Sequence, residues 1–411
     1  MSKRWIIGLA SRSSGVGVDG ALLEVEGAGL ALQSRLIHVL HQSYSRDLGE
    51  LLHRLDAAPT IELRQLSLLH RLLGETFAAV ARQVADQASF SLQNVSCLGC
   101  LGHSAWHEPE GRFPSHLDLG MAAVVAERTG ITTVSDLPSR DLAAGGQGAP
   151  LAALADYLLF RHLRHPQENR ILIHLGTTAQ IVYLPAGSKV HEVLGFDAGP
   201  CNRLLDGLTH HVTGGREALD SGGKHAVQGR CVEPLLEKWC GLPYLKRRPP
   251  KSLSRHGLTE DLIVQAVELA GQGSCQLHDL LCTATHFVAK CITASIHRFI
   301  PQGRGATRVF LSGGGVRNGF LWHLLEQQLT PLALAKTDQA GISSEARKSS
   351  EAAVLAALTM DGVPANLPSA TGTAAARLLG SITPGSPTNW ARCLAWMLSQ
   401  TPPNADFTDE D

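Results

Sequence analysis

At 411 residues the chain exceeds the roughly 250–300 at which single hydrophobic cores stop growing, so two lobes are expected. With 44% hydrophobic and 18% charged residues it is a globular chain able to bury a real core, which excludes disorder and a collagen-like fibre. Its 36 Lys and Arg against 37 Asp and Glu leave a formal net charge of −1, too little field to draw it to nucleic acid or to a membrane surface.

No apolar run approaches the roughly 18 residues that span a bilayer, and the first ten residues carry no signal-like cleavage region, so a cytoplasmic location is expected. Nine cysteines, an odd number over a long chain, point to free thiols in a reducing compartment. Cys97 and Cys100 form a C-x-x-C, but no second pair or spaced histidines complete a zinc site, and His103 with His107 also lacks a third ligand. No metal-ligand set is therefore expected from spacing.

In chain order, residues 5–10 read as a buried strand, residues 11–18 as a small polar loop and residues 21–25 as a second strand. Residues 61–84 carry Leu66, Leu69, Leu72, Leu73, Phe77 and Val80 at helical spacing, and a strand follows at 94–99. The opening pattern returns at residues 170–175, the turn Gly176-Thr-Thr178 and residues 179–184. Two halves that each open with a hairpin around a Gly/Ser/Thr loop suggest internal duplication. Further on come a strand at 192–196, a long helix at 276–300 with one apolar stripe, a strand at 308–311, a helix at 320–329 and an Ala-rich helix at 349–359. Residues 401–411 are polar and acidic and are expected to fray. The expected divisions are 1–135, an N-terminal lobe with a first phosphate loop; 136–380, a C-terminal lobe; and 381–411, a C-terminal helix and acidic tail.

A phosphate needs several backbone N–H donors aimed at one point, and glycine with small hydroxyl residues leaves the approach open. Residues 11–17 (Ser11, Arg12, Ser13, Ser14, Gly15, Val16, Gly17) and the turn Gly176, Thr177 have this composition. Neither shows the P-loop or Rossmann spacing, and an ordinary hairpin turn would look the same. The run Ser312-Gly-Gly-Gly-Val-Arg-Asn318 places Gly313, Gly314 and Gly315 between a strand and a helix, where an adenosine would lie flat against the backbone. Tight strand–helix packing is the alternative use of these glycines. Residues 145–150 read as a hinge or lining loop between lobes.

Several ordered motifs resemble the anhydro-N-acetylmuramic acid kinase family. They are Trp106-His-Glu-Pro109 after Gly102; Arg128-Thr-Gly-Ile131; residues 140–151 (Arg-Asp-Leu-Ala-Ala-Gly-Gly-Gln-Gly-Ala-Pro-Leu); Gly195-Phe-Asp-Ala-Gly-Pro200 with Asn202 and Asp206; Gly313-Gly-Gly315 with Asn318; Thr337-Asp338; Gly341-Ile342; Glu351-Ala352; and Asn366-Leu-Pro368 with Thr371-Gly372. The resemblance implies an α/β chain with the two-lobed, duplicated actin-like ATPase fold of the acetate and sugar kinase, Hsp70 and actin superfamily, its mixed sheets flanked by helices around a cleft for ATP and Mg²⁺. It implies a reaction in which water opens the 1,6-anhydro ring of the amino sugar and the freed oxygen at carbon 6 takes the γ-phosphoryl of ATP, giving N-acetylmuramate 6-phosphate in cell-wall recycling. A homodimer is consistent with the family.

Carried over residue by residue, the resemblance makes Asp197 the general base. A carboxylate just after the strand at 192–196, flanked by Gly195 and Gly199, is expected to be open to water. It assigns ATP to Ser11, Arg12, Ser13, Ser14, Gly15, Gly17, Gly176, Thr177, Gly313, Gly314, Gly315 and Asn318. The sugar is assigned to His103, Ser104, Arg140, Gly199, Asn202 and Glu351.

The chain departs from the family pattern in places. Where the first loop of the family reads Met-Ser-Gly-Thr-Ser-x-Asp-Gly-x-Asp, this chain has residues 10–19, with Arg12 for a glycine and Val16 for an acid. A carboxylate there would position Mg²⁺ and its waters near the phosphates, which valine does not do. A three-residue shift would instead put Asp19-Gly20 in the Asp-Gly place. Leu101-Gly-His-Ser104 stands for His-Gly-Gln-Thr, and Leu137-Pro-Ser-Arg140 keeps only the last of a run of arginines. His174, Thr177 and Gln180 replace Asn, Gly and Asn, Cys201 replaces a glycine, and Lys251-Ser-Leu-Ser-Arg255 partly matches Lys-Ser-Thr-Gly-Arg. Three readings follow: an active kinase of the anhydro sugar, a catalytically impaired protein that binds nucleotide or sugar, or a kinase of a different sugar.

Overall fold

The computed structural model describes residues 3–12, 16–57, 60–161, 167–187, 189–273, 275–301 and 306–400. Ser13, Ser14 and Gly15 of the first expected phosphate loop, and the acidic tail at 401–411, lie outside the described residues. The strands in chain order are β1 (Lys3–Ser11), β2 (Gly17–Glu26), β3 (Gln33–Ser43), β4 (Val95–Leu101), β5 (His103–Glu108), β6 (Ser115–Leu119), β7 (Thr133–Ser135), β8 (Asn169–Leu175), β9 (Thr178–Leu184), β10 (Leu194–Pro200), β11 (Thr307–Ser312), β12 (Ala333–Lys336) and β13 (Ser381–Thr383). Two compact units divide the chain, one of Met1–Arg161 with Glu345–Asp411 and one of His162–Ser344.

In the first unit the sheet runs β13-β7-β4-β1-β2-β3, and in the second β10-β9-β8-β11-β12. Each contains an antiparallel three-stranded meander whose first strand pairs in parallel with a fourth: β1 with β4, and β8 with β11. The duplication expected from the repeated hairpins is therefore present as one shared strand order in two mixed sheets.

Side-chain size explains how the first sheet is covered. Helix Arg347–Met360 lies on β1 and β4 so closely that a Cβ on Gly8 would overlap the carbonyl oxygen of Ser349, and one on Gly99 that of Ala352. Ala352, Ala353, Ala356 and Ala357 are all buried there, because only small side chains fit between backbones this near. On the other side, helix Leu63–Gln87 inserts Phe77, Val80, Ala81 and Val84 among Ile7, Leu9, Val18, Leu22 and Leu98.

This packing moves the division of the chain away from the expected boundaries at 135/136 and 380/381. Residues 136–161 and, among the described residues, 345–400 belong to the same unit as the N-terminal strands.

The second unit is organised by helix Leu277–Phe299, which buries Leu280, Leu281, Ala284, Phe287, Val288, Ile292 and Ile296 and meets Trp239 edge-on, with ring centroids 5.3 Å apart. Each large apolar side chain taken fully from water stabilises by roughly 1.5–3 kcal/mol. Its start is capped by Asp279, which accepts from the Gln276 N–H at 2.9 Å. No helix among the described residues is long and apolar enough to cross a membrane.

Candidate functional site

In the second unit the loop residues singled out in the sequence converge. The β8–β9 turn holds Gly176 and Thr177, whose carbonyl oxygens accept from the N–H groups of Asn202 and Cys201 at 3.0 Å each, tying the turn to the start of helix Asn202–Val212. Asn202 donates its side-chain amide to the Leu175 carbonyl at 2.9 Å, and His174 lies 3.1 Å from the Ser312 hydroxyl at the end of β11.

The three glycines play different parts. Gly313 has φ +86°, and a Cβ there would lie 2.7 Å from the Leu175 carbonyl; one on Gly315 would lie 2.6 Å from Leu175 Cβ. Both are needed for the chain to pack on itself. Gly314 is exposed, and its Cβ would meet only Asn202 Nδ2, at 3.6 Å. Open backbone is therefore presented at Gly314, beside Asn202. Asn318 is 8% exposed and caps helix Gly319–Leu329, its side chain accepting from the Leu321 N–H at 3.0 Å.

Asp197 is not in a loop after a strand but inside β10, opposite Gln180, at a bulge where the register shifts before Gly199. It is 2% exposed, not open to water as expected, because residues 251–253 lie over it. The Asp197 N–H donates to the Lys251 carbonyl at 2.9 Å, the Leu253 N–H donates to Asp197 Oδ2 at 2.9 Å, and the Ser252 hydroxyl reaches the same oxygen at 3.4 Å. Tyr244 donates its hydroxyl to the Asp197 carbonyl at 3.0 Å.

Lys251 pins this strap. Its ammonium is buried among the rings of Tyr244 (4.7 Å to the centroid), Phe299 (5.2 Å) and Phe196 (5.9 Å), and burial pushes the amine down to about 8. Gly199 packs on Cys291, where a Cβ would lie 3.2 Å away. Asp206, on the helix after Asn202, is pushed up to about 7 by burial and then by the charge of Asp220.

In the first unit β1 and β2 pair without a shift, Ala10 opposite Asp19 and Ser11 opposite Val18, and the Arg12 N–H donates to the Gly17 carbonyl at 2.9 Å. Gly17 is strand backbone, where any Cβ would collide with the Gln42 carbonyl. Asp19 stands inside the ladder. Arg12 Nε donates to its Oδ2 at 2.7 Å, and His41 Nδ1 lies 2.8 Å from its Oδ1.

The arginine that replaces a small residue has thus found the nearest carboxylate. Ser11 Oγ lies 2.7 Å from the Tyr44 hydroxyl and 3.1 Å from His103 Nδ1. His103, expected to face a sugar, is fully buried, and Ser104 follows it on β5.

The run at 140–151 is built around a residue that no local pattern singles out. Asp141 is fully buried and accepts from the Gly148 N–H at 2.7 Å, the Thr371 hydroxyl at 2.7 Å and the Asn366 side chain. Gln147 N–H donates to the Thr371 carbonyl at 2.9 Å, so residues 145–150 are anchored within one unit instead of swinging as a hinge. Arg140 is exposed at the end of the same helix turn. Glu351 is fully buried beside Arg347 and Lys348, and burial pushes its carboxyl up to about 7. The C-x-x-C is not a pair: Cys100 lies in the core against Leu98 and Val95, whereas Cys97 lines a separate cavity of about 190 Å³ with Cys393 and Trp396.

Known proteins are similar in sequence to this chain over most of its length. Residues 4–385 match the family model described as anhydro-N-acetylmuramic acid kinase. A protein of that name from Gloeobacter violaceus is 37% identical over 382 residues, 92% of this chain and 98% of its own. One from Caldanaerobacter subterraneus is 30% identical over 386 residues, 92% and 97%. Among solved structures, an activator of 2-hydroxyisocaproyl-CoA dehydratase from Clostridium difficile with bound ADPNP has a TM-score of 0.43 at 12% identity, over 86% of this chain and 94% of its own. A glucokinase of the ROK family from Streptomyces griseus, with glucose and AMPPNP, has 0.36 at 13%, over 85% and 98%.

Proposed function

We infer the reaction from a premise: the chain belongs to the anhydro-N-acetylmuramic acid kinase family. The protein is an ATP-dependent phosphotransferase that opens 1,6-anhydro-N-acetylmuramic acid with water and phosphorylates the freed hydroxyl, yielding N-acetylmuramate 6-phosphate for cell-wall recycling in the cytoplasm. The observation that carries this reading is the match of residues 4–385 to that family, and the carboxylate it assigns as base is Asp197, held in one orientation by the Leu253 N–H and the strap behind it. In this reading Asp197, covered by residues 251–253, takes the proton of a water admitted when that strap opens, and its fixed orientation spares it a reorganisation of its own. As the water's oxygen bonds to the anomeric carbon, the bond from that carbon to O6 breaks, and O6 attacks the γ-phosphorus of ATP with ADP as leaving group.

The β8–β9 turn and the backbone at Gly314 would hold the nucleotide in the second unit, where Gly314 leaves room beside Asn202. Calorimetric titration with ATP tests this. Gly314→Val adds bulk into open space and is expected to weaken ATP binding by about tenfold or more, equivalent to ~1.4 kcal/mol, with the fold intact. Unchanged affinity would remove Gly314 from the site.

Among the described residues at the loop end of the first hairpin the carboxylate is Asp19, whose oxygens are engaged by Arg12 and His41. Among the described residues no group of three or more His, Cys, Asp or Glu side chains is placed to hold a metal. These residues do not fit a protein-held Mg²⁺, and a cation accompanying ATP is left to phosphate oxygens and water. Val16 is the position where an acid would change this. Val16→Asp is expected to raise turnover, by roughly tenfold for ~1.4 kcal/mol of better-placed charge. An ADP-release assay with no gain would show that an acid at that position is not needed.

The test of the proposed reaction itself is conversion of the anhydro sugar with ATP, followed by ADP release and product mass.

A further inference from the structure

We propose that the first unit binds a small organic monocarboxylate in the cavity between β1, β4 and the C-terminal helix Pro387–Ser399, a site made of none of the residues assigned above to ATP or the sugar.

The cavity is the one of about 190 Å³ that Cys97 shares with Cys393 and Trp396. That is below the roughly 300–1,000 Å³ of pockets that take drug-sized ligands, so its occupant is compact. Lys3 and Arg4 reach it from the start of β1 and Arg392 from the helix, and among the described residues no acidic side chain lines it. Cys97, Met360, Cys393 and the ring of Trp396 supply an apolar wall. Burial pushes both thiols up, so they stay neutral and add no charge of their own.

Arg4 has an unmet donor. It is 6% exposed, and both terminal nitrogens are engaged: Nη1 donates to Asp361 Oδ1 at 2.6 Å, and Nη2 donates to Asp361 Oδ2 and to the Gly27 carbonyl at 3.0 Å each. Its Nε is buried without a hydrogen-bond partner, although a polar group shut off from water ordinarily has one. Trp396 lies against the guanidinium carbon, 4.0 Å from the ring centroid. Its indole N–H donates to Asp361 Oδ1 at 2.8 Å, and an indole brings no acceptor. A carboxylate lodged in the cavity supplies the acceptor that Arg4 lacks.

Arg392 gives the second half of the grip. It is exposed, and its Nη2 donates to the Gln93 carbonyl at 2.6 Å, which holds the guanidinium in place while its other N–H groups remain for a ligand. Lys3 is held by Glu24 and Glu26 at 3.4 and 3.1 Å. The cations Lys3, Arg4, Arg392 and, on Glu24, Arg35 face the carboxylates Asp361, Glu24 and Glu26, which leaves one positive charge over. A monoanion balances that charge, and the planar fork of arginine matches a carboxylate. An apolar body behind the carboxylate covers Met360 and the two thiols.

The test is calorimetric titration of the full chain with benzoate, with benzamide and inorganic phosphate for comparison. Benzoate is expected to bind once per chain with a dissociation constant of about 1 mM or below. Benzamide keeps the ring without the charge, and phosphate keeps charge without the ring; each is expected to bind at least about tenfold more weakly. Arg4 is a poor residue to change, because its loss strands the buried Asp361. Arg392→Met removes an exposed cation, and Cys393→Met independently fills the cavity. Each is expected to weaken benzoate binding by about tenfold or more, with folding checked by circular dichroism. Absence of benzoate binding, benzamide or phosphate bound as tightly as benzoate, or a folded variant that binds benzoate like wild type would overturn the proposal.

Discussion

Replacing Asp197 by Asn is expected to lower sugar-dependent ADP release by roughly 10²–10⁴-fold, the range for loss of a positioned general base. The substitution isolates the chemistry because the side-chain oxygen of Asn can still accept from the Leu253 N–H that now holds Oδ2 at 2.9 Å. The backbone bonds of residue 197 to Lys251 and Tyr244 are untouched. Size, burial and strap therefore persist, and only proton affinity is lost. Steady-state kinetics at saturating ATP read this as a fall in kcat. A variant with unimpaired turnover would remove Asp197 from the mechanism, whatever its place in the fold.

The largest expected effect on stability lies in the first unit. Arg347 is 1% exposed and donates its Nε to Asp156 Oδ1 at 3.0 Å, with Glu351 Oε1 also 3.0 Å away. Asp156 is itself 1% exposed and Glu351 fully buried. Removing one partner of a buried pair leaves an uncompensated charge and costs about 3–5 kcal/mol. Arg347→Met is thus expected to lower the melting temperature by on the order of 10 °C. Adding Asp156→Asn to the same chain should recover part of that loss, because the stranded charge is then gone. A melting curve for Arg347→Met within a degree or so of wild type would show that the pair is not the anchor of helix Arg347–Met360.

The elements legible in the sequence are those whose apolar spacing is decided by burial on one side. The helix at Leu277–Phe299 answers to the expected 276–300 and the helix at Leu63–Gln87 to the expected 61–84, each with its apolar stripe against a core. The two opening hairpins are legible for the same reason, since β1 and β8 are nearly continuous buried runs. β3 escapes notice because it is a half-exposed edge strand on which His38, His41 and Gln42 interrupt any apolar alternation. The β5–β6 hairpin escapes because His103, His107 and His116 sit in it as polar residues satisfied by one another and by carboxylates.

Site residues divide along a similar line. Gly176, Thr177 and Gly314 sit in turns that glycine and turn chemistry announce, although the contacts that bring them to Asn202 join segments distant in sequence. Asp141, Lys251 and Tyr244 act through partners distant in sequence, as when the strap at Lys251 closes over Asp197, and no local pattern marks such a pairing. The place of Arg12 in a small polar loop suggests a phosphate ligand; its ion pair with Asp19 depends on a register that only the paired strands define.

One reaction tests the proposed activity most directly. Purified protein with ATP, Mg²⁺ and 1,6-anhydro-N-acetylmuramic acid is predicted to release one ADP per sugar and to yield a product whose mass includes both one phosphoryl group and one water, as ring opening and transfer together require. A phosphorylated sugar with its anhydro ring intact, ADP release independent of this sugar, or turnover confined to a different sugar would contradict it.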